Sequence, residues 1–558
     1  MVDMKRILVL ITVVFLMVAS LPLPVGADAD TGLSFASIFG DGMVLQQNRP
    51  VQVFGFGREG DAITLTLKRG DTIVTSQTAA VSGGRWNVVL PAQSGSFDAY
   101  SLEAKAGSEV RTLENLVFGE VWIAGGQSNM EWTLAKAAEA ADWEKKAHTG
   151  KVRFFVSLDS GSSTPQNDVA GYWITAVSWE AAQLCSAIGY MFGYTLSDTL
   201  GVPVGIVNTA QGSTRLTTWI GQETIAAHPD FSTLITTRIT PKADDGAWDS
   251  WSMFYHSRIS PMRGYQAAGI LWYQGEAEIE RGNLEVLRQG IPLLVEDWSA
   301  VFGDGETLLP FLSVQVASFS YRNDYLQGTG YTGGINGTAV PNGNFLMNQG
   351  VEEINRAYGK ALSIPIYDVE VSLSEIHPLH KEPVAAKLLD ASLGLVYGKK
   401  ELYSGPRPIS ATFDGKTVEV VFANVGDGLK LAAGEELLGF RLDGAEAKSA
   451  VEGPYTVSIP AEGQSVSEVS YAFFTRNQDA NLTNSGGYVP LAFKMPVERV
   501  EGHPDAEALA KSADRPGRSR GSGYKPGQIL LMGLCVLGIA AEAVLIVFLL
   551  HRMRKRRN

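Results

Sequence analysis

The chain has 558 residues, a formal net charge of −13, 45% apolar and 19% charged residues. That length is too great for one hydrophobic core and predicts two to four domains, and the composition is that of an ordinary globular protein. The acidic balance argues against a nucleic-acid binder, which needs a basic surface to meet phosphates, and it offers no long-range attraction to anionic ligands.

In chain order, residues 1–27 read as a secretory signal. Lys5 and Arg6 precede an apolar run from Ile7 to Ala19, and Val25, Gly26 and Ala27 form a small-residue cleavage site. The run is short for a membrane span, so an uncleaved anchor is the alternative. Residues 33–113 carry short β patterns. Ile63 to Lys68 alternates, and Ser82-Gly83-Gly84-Arg85-Trp86 marks a hairpin turn before Asn87 to Leu90. Over residues 114–400 apolar strands alternate with helical stretches. Val117 to Ala124, Val204 to Asn208, Ala268 to Tyr273 and Phe311 to Val316 predict buried strands; Gln183 to Leu200, Leu284 to Phe302 and Lys381 to Leu393 predict helices. The pattern is α/β with a mainly parallel sheet. Ser320 to Phe345, rich in Gly, Asn, Thr and Tyr, reads as a long surface loop.

Residues 401–498 return to β patterning at Thr417 to Phe422, Tyr455 to Ile459 and Val469 to Phe474, a second β domain. Residues 499–527 are polar and read as a tether. Within 528–550, Ile529 to Leu550 is long enough to span a membrane, with Glu542 its one charge, paired in the membrane or protonated. The basic tail 551–558 belongs on the cytoplasmic side. The expected topology is therefore an exported, single-pass protein with its body outside. Cys185 and Cys535, the two cysteines, fall on opposite sides of that boundary and cannot pair. An exported body without disulfides suits a bacterial cell surface. The sequons at Asn336 and Asn481 matter only in a eukaryote.

Three segments carry chemistry. VFGEVWIAGGQSNMEW, from Val117 to Trp132, is an apolar run that stops at Gly125-Gly126 and presents Ser128 at a strand's carboxyl end, where α/β sheets bind ligands. Such a serine is either a nucleophile or a helix N-cap. GILWYQGEAE (Gly269 to Glu278) is a second apolar run, ending in Gln274, Gly275 and Glu276, and SEIHPLHK (Ser374 to Lys381) precedes a helical pattern. Two other matches lack their context. Gly55-Phe56-Gly57-Arg58-Glu59-Gly60 fits a dinucleotide fingerprint but is followed by strand alternation. Gly517-Arg518-Ser519-Arg520-Gly521 fits a nucleophile elbow but has no strand before it. His377 and His380 lack the companions of a metal site, so no metal and no cofactor are expected.

Together the three segments resemble the sialate O-acetylesterase branch of the SGNH-hydrolase superfamily. So do IFGDGMVLQQNRPVQVFGFG (Ile38 to Gly57), GVPVGIVNTAQGST (Gly201 to Thr214) and RNQDANLTNSGGYVPLAF (Arg476 to Phe493), and the likeness covers roughly residues 33–498. It implies an SGNH-type three-layer esterase domain flanked by small β domains. It also implies a serine esterase that removes O-acetyl groups from carbohydrates through an acetyl-enzyme. By the resemblance Ser128 is the nucleophile and His377 its base, with His380 the nearest rival. The family often has Asp just before the histidine; here Glu375 is the expected orienting acid, with Asp368 or a backbone carbonyl as alternatives. The oxyanion donors implied are the N–H groups of Ser128 and Gly212 together with Gln274. Gln211-Gly212-Ser213-Thr214 departs from the family's Trp-Gly-Gly-Thr, and Glu278 stands where the family has Asn or Asp. An ionised carboxylate cannot donate to an oxyanion, which is why Gln274 is assigned that part. Trp132, Trp219, Trp272 and Tyr273 are either sugar-stacking or core residues, Trp272 expected in the core and Trp132 open. The expected partner is an O-acetylated glycan. The alternative is a non-catalytic glycan-binding protein on a diverged esterase scaffold, and a third reading is an acyltransferase.

Overall fold

The computed structural model describes residues 32–238, 250–281, 283–317, 319, 343–369, 375–473 and 480–514. The proposed signal, the membrane span with Glu542 and Cys535, the basic tail, the Gly517 motif, the Asn336 sequon and nearly all of the Ser320–Phe345 loop lie outside them. Among the described residues no helix is long and apolar enough to cross a membrane.

The central sheet is built from the apolar runs. We label its strands β1 (Glu109–Gly126), β2 (Val152–Ser157), β3 (Gly171–Thr175), β4 (Val204–Asn208), β5 (Gly269–Tyr273), β6 (Phe311–Val314) and β7 (Ala361–Ile364). Their order is β3-β2-β4-β1-β5-β6-β7, parallel throughout except for the antiparallel edge strand β3. Such a sheet is buried on both faces, and alternate residues supply two cores. Val121, Ile123 and Trp272 enter one core with the helix Leu284–Phe302. Trp122, Ala124 and Tyr273 enter the other with the helices Ala187–Leu200 and Glu382–Leu395. Trp272 and Trp219 are both fully buried. The site is framed by helices α1 (Ser128–Glu131), α2 (Ala187–Leu200), α3 (Glu276–Glu280), α4 (Leu284–Phe302), α5 (Gly343–Tyr358) and α6 (Glu382–Leu395). Helix α5 begins inside the stretch expected as loop, taking in its last three residues.

The amino-terminal β layer does not end where a boundary at 113/114 would place it. Strand β1 is continuous for 18 residues. Its first half pairs with the antiparallel strand Ser96–Ala106, its second half with β4 and β5. The polar Glu114-Asn115 pair read as a break. The strand passes through it because Asn115 adopts φ +57, a conformation Asn tolerates, and the buried Arg153 guanidinium donates to the Asn115 and Gly42 carbonyls. The Ser82–Trp86 hairpin is present, with Gly83 and Gly84 both at positive φ.

The described residues of 407–499 form sheets of five, four and two strands around a common core, antiparallel except where Glu498–Arg499 joins Arg407–Phe413 in parallel. The first part of the expected tether is folded onto them. The helix Ala506–Asp514 packs on the strands Arg407–Phe413 and Thr417–Ala423, Arg407 donates to the Ala513 carbonyl, and His503 meets Thr412 at 2.8 Å. Composition marked this stretch as polar, but Ala506, Leu509, Ala510 and Ala513 give it an apolar side, and Ala510 is fully buried.

Candidate active site

Ser128 owes its position to the two glycines before it. A Cβ on Gly125 would lie 2.5 Å from the Trp298 ring, and one on Gly126, at φ +129, would lie 2.1 Å from the Tyr273 carbonyl oxygen. Only glycine lets β1 end this close to β5. The Gln127 N–H then donates to Tyr273 O at 3.0 Å, and the Gln127 carbonyl accepts from Met130 and Glu131, closing the single turn of α1. Gln127, not Ser128, is the residue in the cap position, and its side chain makes no cap bond. The serine hydroxyl is therefore available for chemistry. Its N–H heads the turn, where backbone donors have no helical acceptor.

The hydroxyl meets a histidine. Ser128 Oγ and His377 Nε2 are 2.8 Å apart. On the far side of the ring, Nδ1 lies 3.2 Å from Glu375 Oε1, which also accepts from the His377 backbone N–H at 2.9 Å. A carboxylate at Nδ1 assigns the proton there, leaving Nε2 to accept from the serine. Trp132 stacks on the imidazole, with centroids 5.0 Å apart at 24°, so this indole packs on the histidine. Burial, then the Lys381 charge, holds the imidazole below its ordinary pKa, with Glu375 opposing. Glu375 is half-exposed, and its carboxyl is held low, chiefly by the His377 backbone N–H. The rivals are occupied elsewhere: Asp368 is paired with Lys387 at 2.7 Å, and His380 with Glu139 at 2.9 Å.

Gly212 lies against the serine; a Cβ there would be 3.4 Å from Ser128 Cβ. Its N–H donates to Glu131 Oε2 at 2.7 Å. A carboxylate thus holds the donor that the resemblance assigns to the oxyanion. The loop carrying Gly212 is fixed from behind by Arg258, which donates to the Thr209 and Ala210 carbonyls, each at 3.0 Å, and to Gln211 Oε1 at 2.8 Å. Burial pulls the Arg258 guanidinium down to about 10. Arg258 sits in a π-helical turn, Tyr255–Ile259, an irregularity found often at functional sites.

Gln274 does not supply the oxyanion donor expected of it. Its side chain is fully buried, and its amide donates to the Thr214 carbonyl at 3.3 Å and to Glu278 Oε2. With both amide hydrogens engaged it has none for an oxyanion. Glu278 in turn accepts from the Leu216 N–H at 2.7 Å. The Glu278 departure thus buttresses the Gly212 loop. Gln274→Leu is expected to lower thermal stability while keeping kcat within about tenfold of wild type, because loss of a true oxyanion donor costs about 10²–10³. A kcat loss of that larger size in folded protein would return Gln274 to the hole.

The residues that sequence reasoning left without a role are Glu131, Asn129, Glu276, Lys381 and Arg258. The first four sit inside the quoted motifs. Arg258 lies outside those motifs and carried no signal in the sequence.

A serine held against a histidine at the carboxyl end of the central strand of a parallel sheet is the arrangement of an α/β esterase. Residues 118–332 match the family described as carbohydrate esterase, sialic acid-specific acetylesterase. The chain is 26% identical over 450 residues to the sialate O-acetylesterase of Mus musculus, covering 72% of this chain and 79% of that protein. With the Homo sapiens enzyme it is 26% identical over 434 residues, covering 70% and 76%. The crystal structure of a carbohydrate acetylesterase from Xanthomonas citri superposes with a TM-score of 0.70 at 26% identity, covering 83% of this chain and 99% of that one. The chain is a carbohydrate esterase related to the sialate O-acetylesterases, and the resemblance read from its motifs is borne out.

Proposed function

We propose that this esterase removes O-acetyl groups from carbohydrates by way of an acetyl-enzyme, with Ser128 as nucleophile and His377 as general base. The observation that carries the reading is the 2.8 Å contact between Ser128 Oγ and His377 Nε2 at the end of β1. His377 takes the hydroxyl proton as Oγ attacks the acetyl carbonyl. The tetrahedral oxyanion is met by the Ser128 N–H and, once Glu131 turns aside, by the Gly212 N–H. Collapse breaks the bond to the sugar oxygen, which leaves with the proton from His377. Water then attacks the acetyl-serine, again through His377, and acetate departs. Glu375 keeps the imidazole in the required tautomer.

The engaged Gly212 N–H is the one observation that favours the alternative of a non-catalytic glycan binder. Acetate release from a panel of acetylated sialosides, xylans and other glycans separates the two. Release from at least one polymer supports the esterase; glycan binding without acetate, and without fluorophosphonate labelling of Ser128, supports the binder.

We also propose that the protein is exported and held by Ile529 to Leu550 with its basic tail inside, on the grounds of length and charge already given. The full-length protein is expected to stay in the membrane pellet through a high-salt wash, and protease outside intact cells is expected to release an active body. A salt-soluble full-length chain would overturn the anchor.

A further inference from the structure

Behind the serine and the histidine lies a group of polar side chains that the reaction itself does not use. Asn129, the residue after the serine, is 1% exposed; Glu276, at the start of α3, is 1% exposed; Lys381, just before α6, is fully buried. Lys381 Nζ donates to Asn129 Oδ1 at 2.7 Å. The Asn129 amide nitrogen donates to Glu276 Oε1 at 2.7 Å and to the Ile376 carbonyl at 3.1 Å. The orientation of the amide is therefore dictated from both ends, its oxygen facing a cation and its nitrogen an acid. The Lys381 ammonium also lies over the Trp132 ring, 5.5 Å from its centroid, and over Tyr273 at 6.0 Å. A lysine is almost never fully buried without compensation, and a buried charge is tolerated where it is paired and hydrogen-bonded. Here the compensation runs through one amide to a buried carboxyl on another segment.

The arrangement has a geometric consequence. Asn129 is adjacent in sequence to Ser128, and Ile376 to His377. The bond from Asn129 to the Ile376 carbonyl thus joins the serine turn to the histidine loop one residue away from each reacting side chain. Lys381 joins the same two segments a second time, and Glu276 ties both to the end of β5. Glu375 itself is half-exposed, so the acid beside the imidazole does not by itself fix a loop.

Taking Ser128 and His377 as the reacting pair, as proposed above, we infer that the buried Lys381–Asn129–Glu276 relay holds the histidine loop on the serine turn, with Lys381 a positioning residue for His377. The relay sets the distance between Oγ and Nε2, and the lysine charge also disfavours the imidazolium. The charged groups acting on the ring are Glu375 on its own loop, Lys381 at the head of α6 and Lys136 from the turn Leu134–Lys136, whose ammonium also lies over Trp132.

The test uses the full chain, p-nitrophenyl acetate, and kcat/KM as a function of pH for wild type, Lys381→Met and Lys381→Arg. A small displacement of a reacting group costs about 10²-fold. Lys381→Met is therefore expected to lose about that much kcat with KM little changed, and its acid limb is expected to move to higher pH because a cation near the imidazole is gone. Lys381→Arg is expected to return the limb to its wild-type position and recover part of kcat. A kcat loss with an unmoved limb, or an arginine variant no better than methionine, would overturn the inference. If Lys381→Met does not fold, Glu276→Met decides, since it keeps length but removes the acceptor of the Asn129 amide. Slower fluorophosphonate labelling of Ser128 at unchanged melting temperature supports the relay, and unchanged labelling refutes it. Ser128→Ala run in parallel keeps the two readings apart: full activity there removes the serine assignment, whatever Lys381 does.

Discussion

Ser128→Ala is expected to abolish turnover of p-nitrophenyl acetate and of acetylated glycans, a loss of at least about 10⁴-fold in kcat. The hydroxyl removed is the one that faces His377 Nε2, and no second serine stands at the end of β1. Alanine fits without strain, since Ser128 begins an ordinary helical turn and caps nothing. The folded variant should therefore melt close to wild type, still bind glycan, and resist fluorophosphonate labelling. A folded Ser128→Ala protein with undiminished kcat would end the serine mechanism for this chain.

The second large effect belongs to His377. His377→Ala is expected to cost about 10³–10⁴-fold, the range for loss of a general base in a unit that acts together with its nucleophile. The pH profile carries the sharper information. Only the neutral imidazole can take the serine proton, so kcat/KM rises as pH passes the histidine pKa. Burial and Lys381 both disfavour the imidazolium. The rise should then be centred below the ordinary histidine value of about 6.5, with full activity through neutrality. Glu375→Gln removes the one contribution that favours the imidazolium, so its limb should move to still lower pH. Its loss of rate should stay within about tenfold, because a half-exposed acid is a weak electrostatic partner. An acid limb above the ordinary value in wild type would contradict the burial of this ring.

Much of the central sheet was legible because its strands are buried on both faces. Continuous apolar runs such as GILWY and VGIVN, bounded by glycine or polar turns, coincide with β5 and β4. The strands β2, β3 and β7 were not read: Arg153 interrupts the apolar run of VRFFVS, GYWIT is a half-exposed edge strand, and ALSI has only four residues, one of them Ser363. At the site, Ser128 and His377 could be paired by resemblance, and they stand in contact. The direction of Gln274 could not be read. Whether a side chain at a strand's end faces the cleft or the core depends on the turn that follows, and here Gly275 at φ +149 makes that turn. The function of Glu278 was hidden for a related reason: its partners, the Leu216 N–H and Gln274, come together only through the packing of two distant loops. The relay residues Asn129, Glu276 and Lys381 were in view as letters of the motifs, but nothing in spacing says that a lysine after a histidine is buried.

Strand β1 couples the amino-terminal β layer to the serine turn. Its 18 residues run from the outer β layer to the glycines before Ser128, turning at Asn115 where φ is +57. A hinge needs a few residues free to change φ and ψ, and here that stretch is hydrogen-bonded to neighbours along its length. The outer layer is therefore a fixed wall and not a swinging flap. The esterase core likewise cannot be cut free at residue 114 and shuffled as an independent module without severing the strand that leads to Ser128.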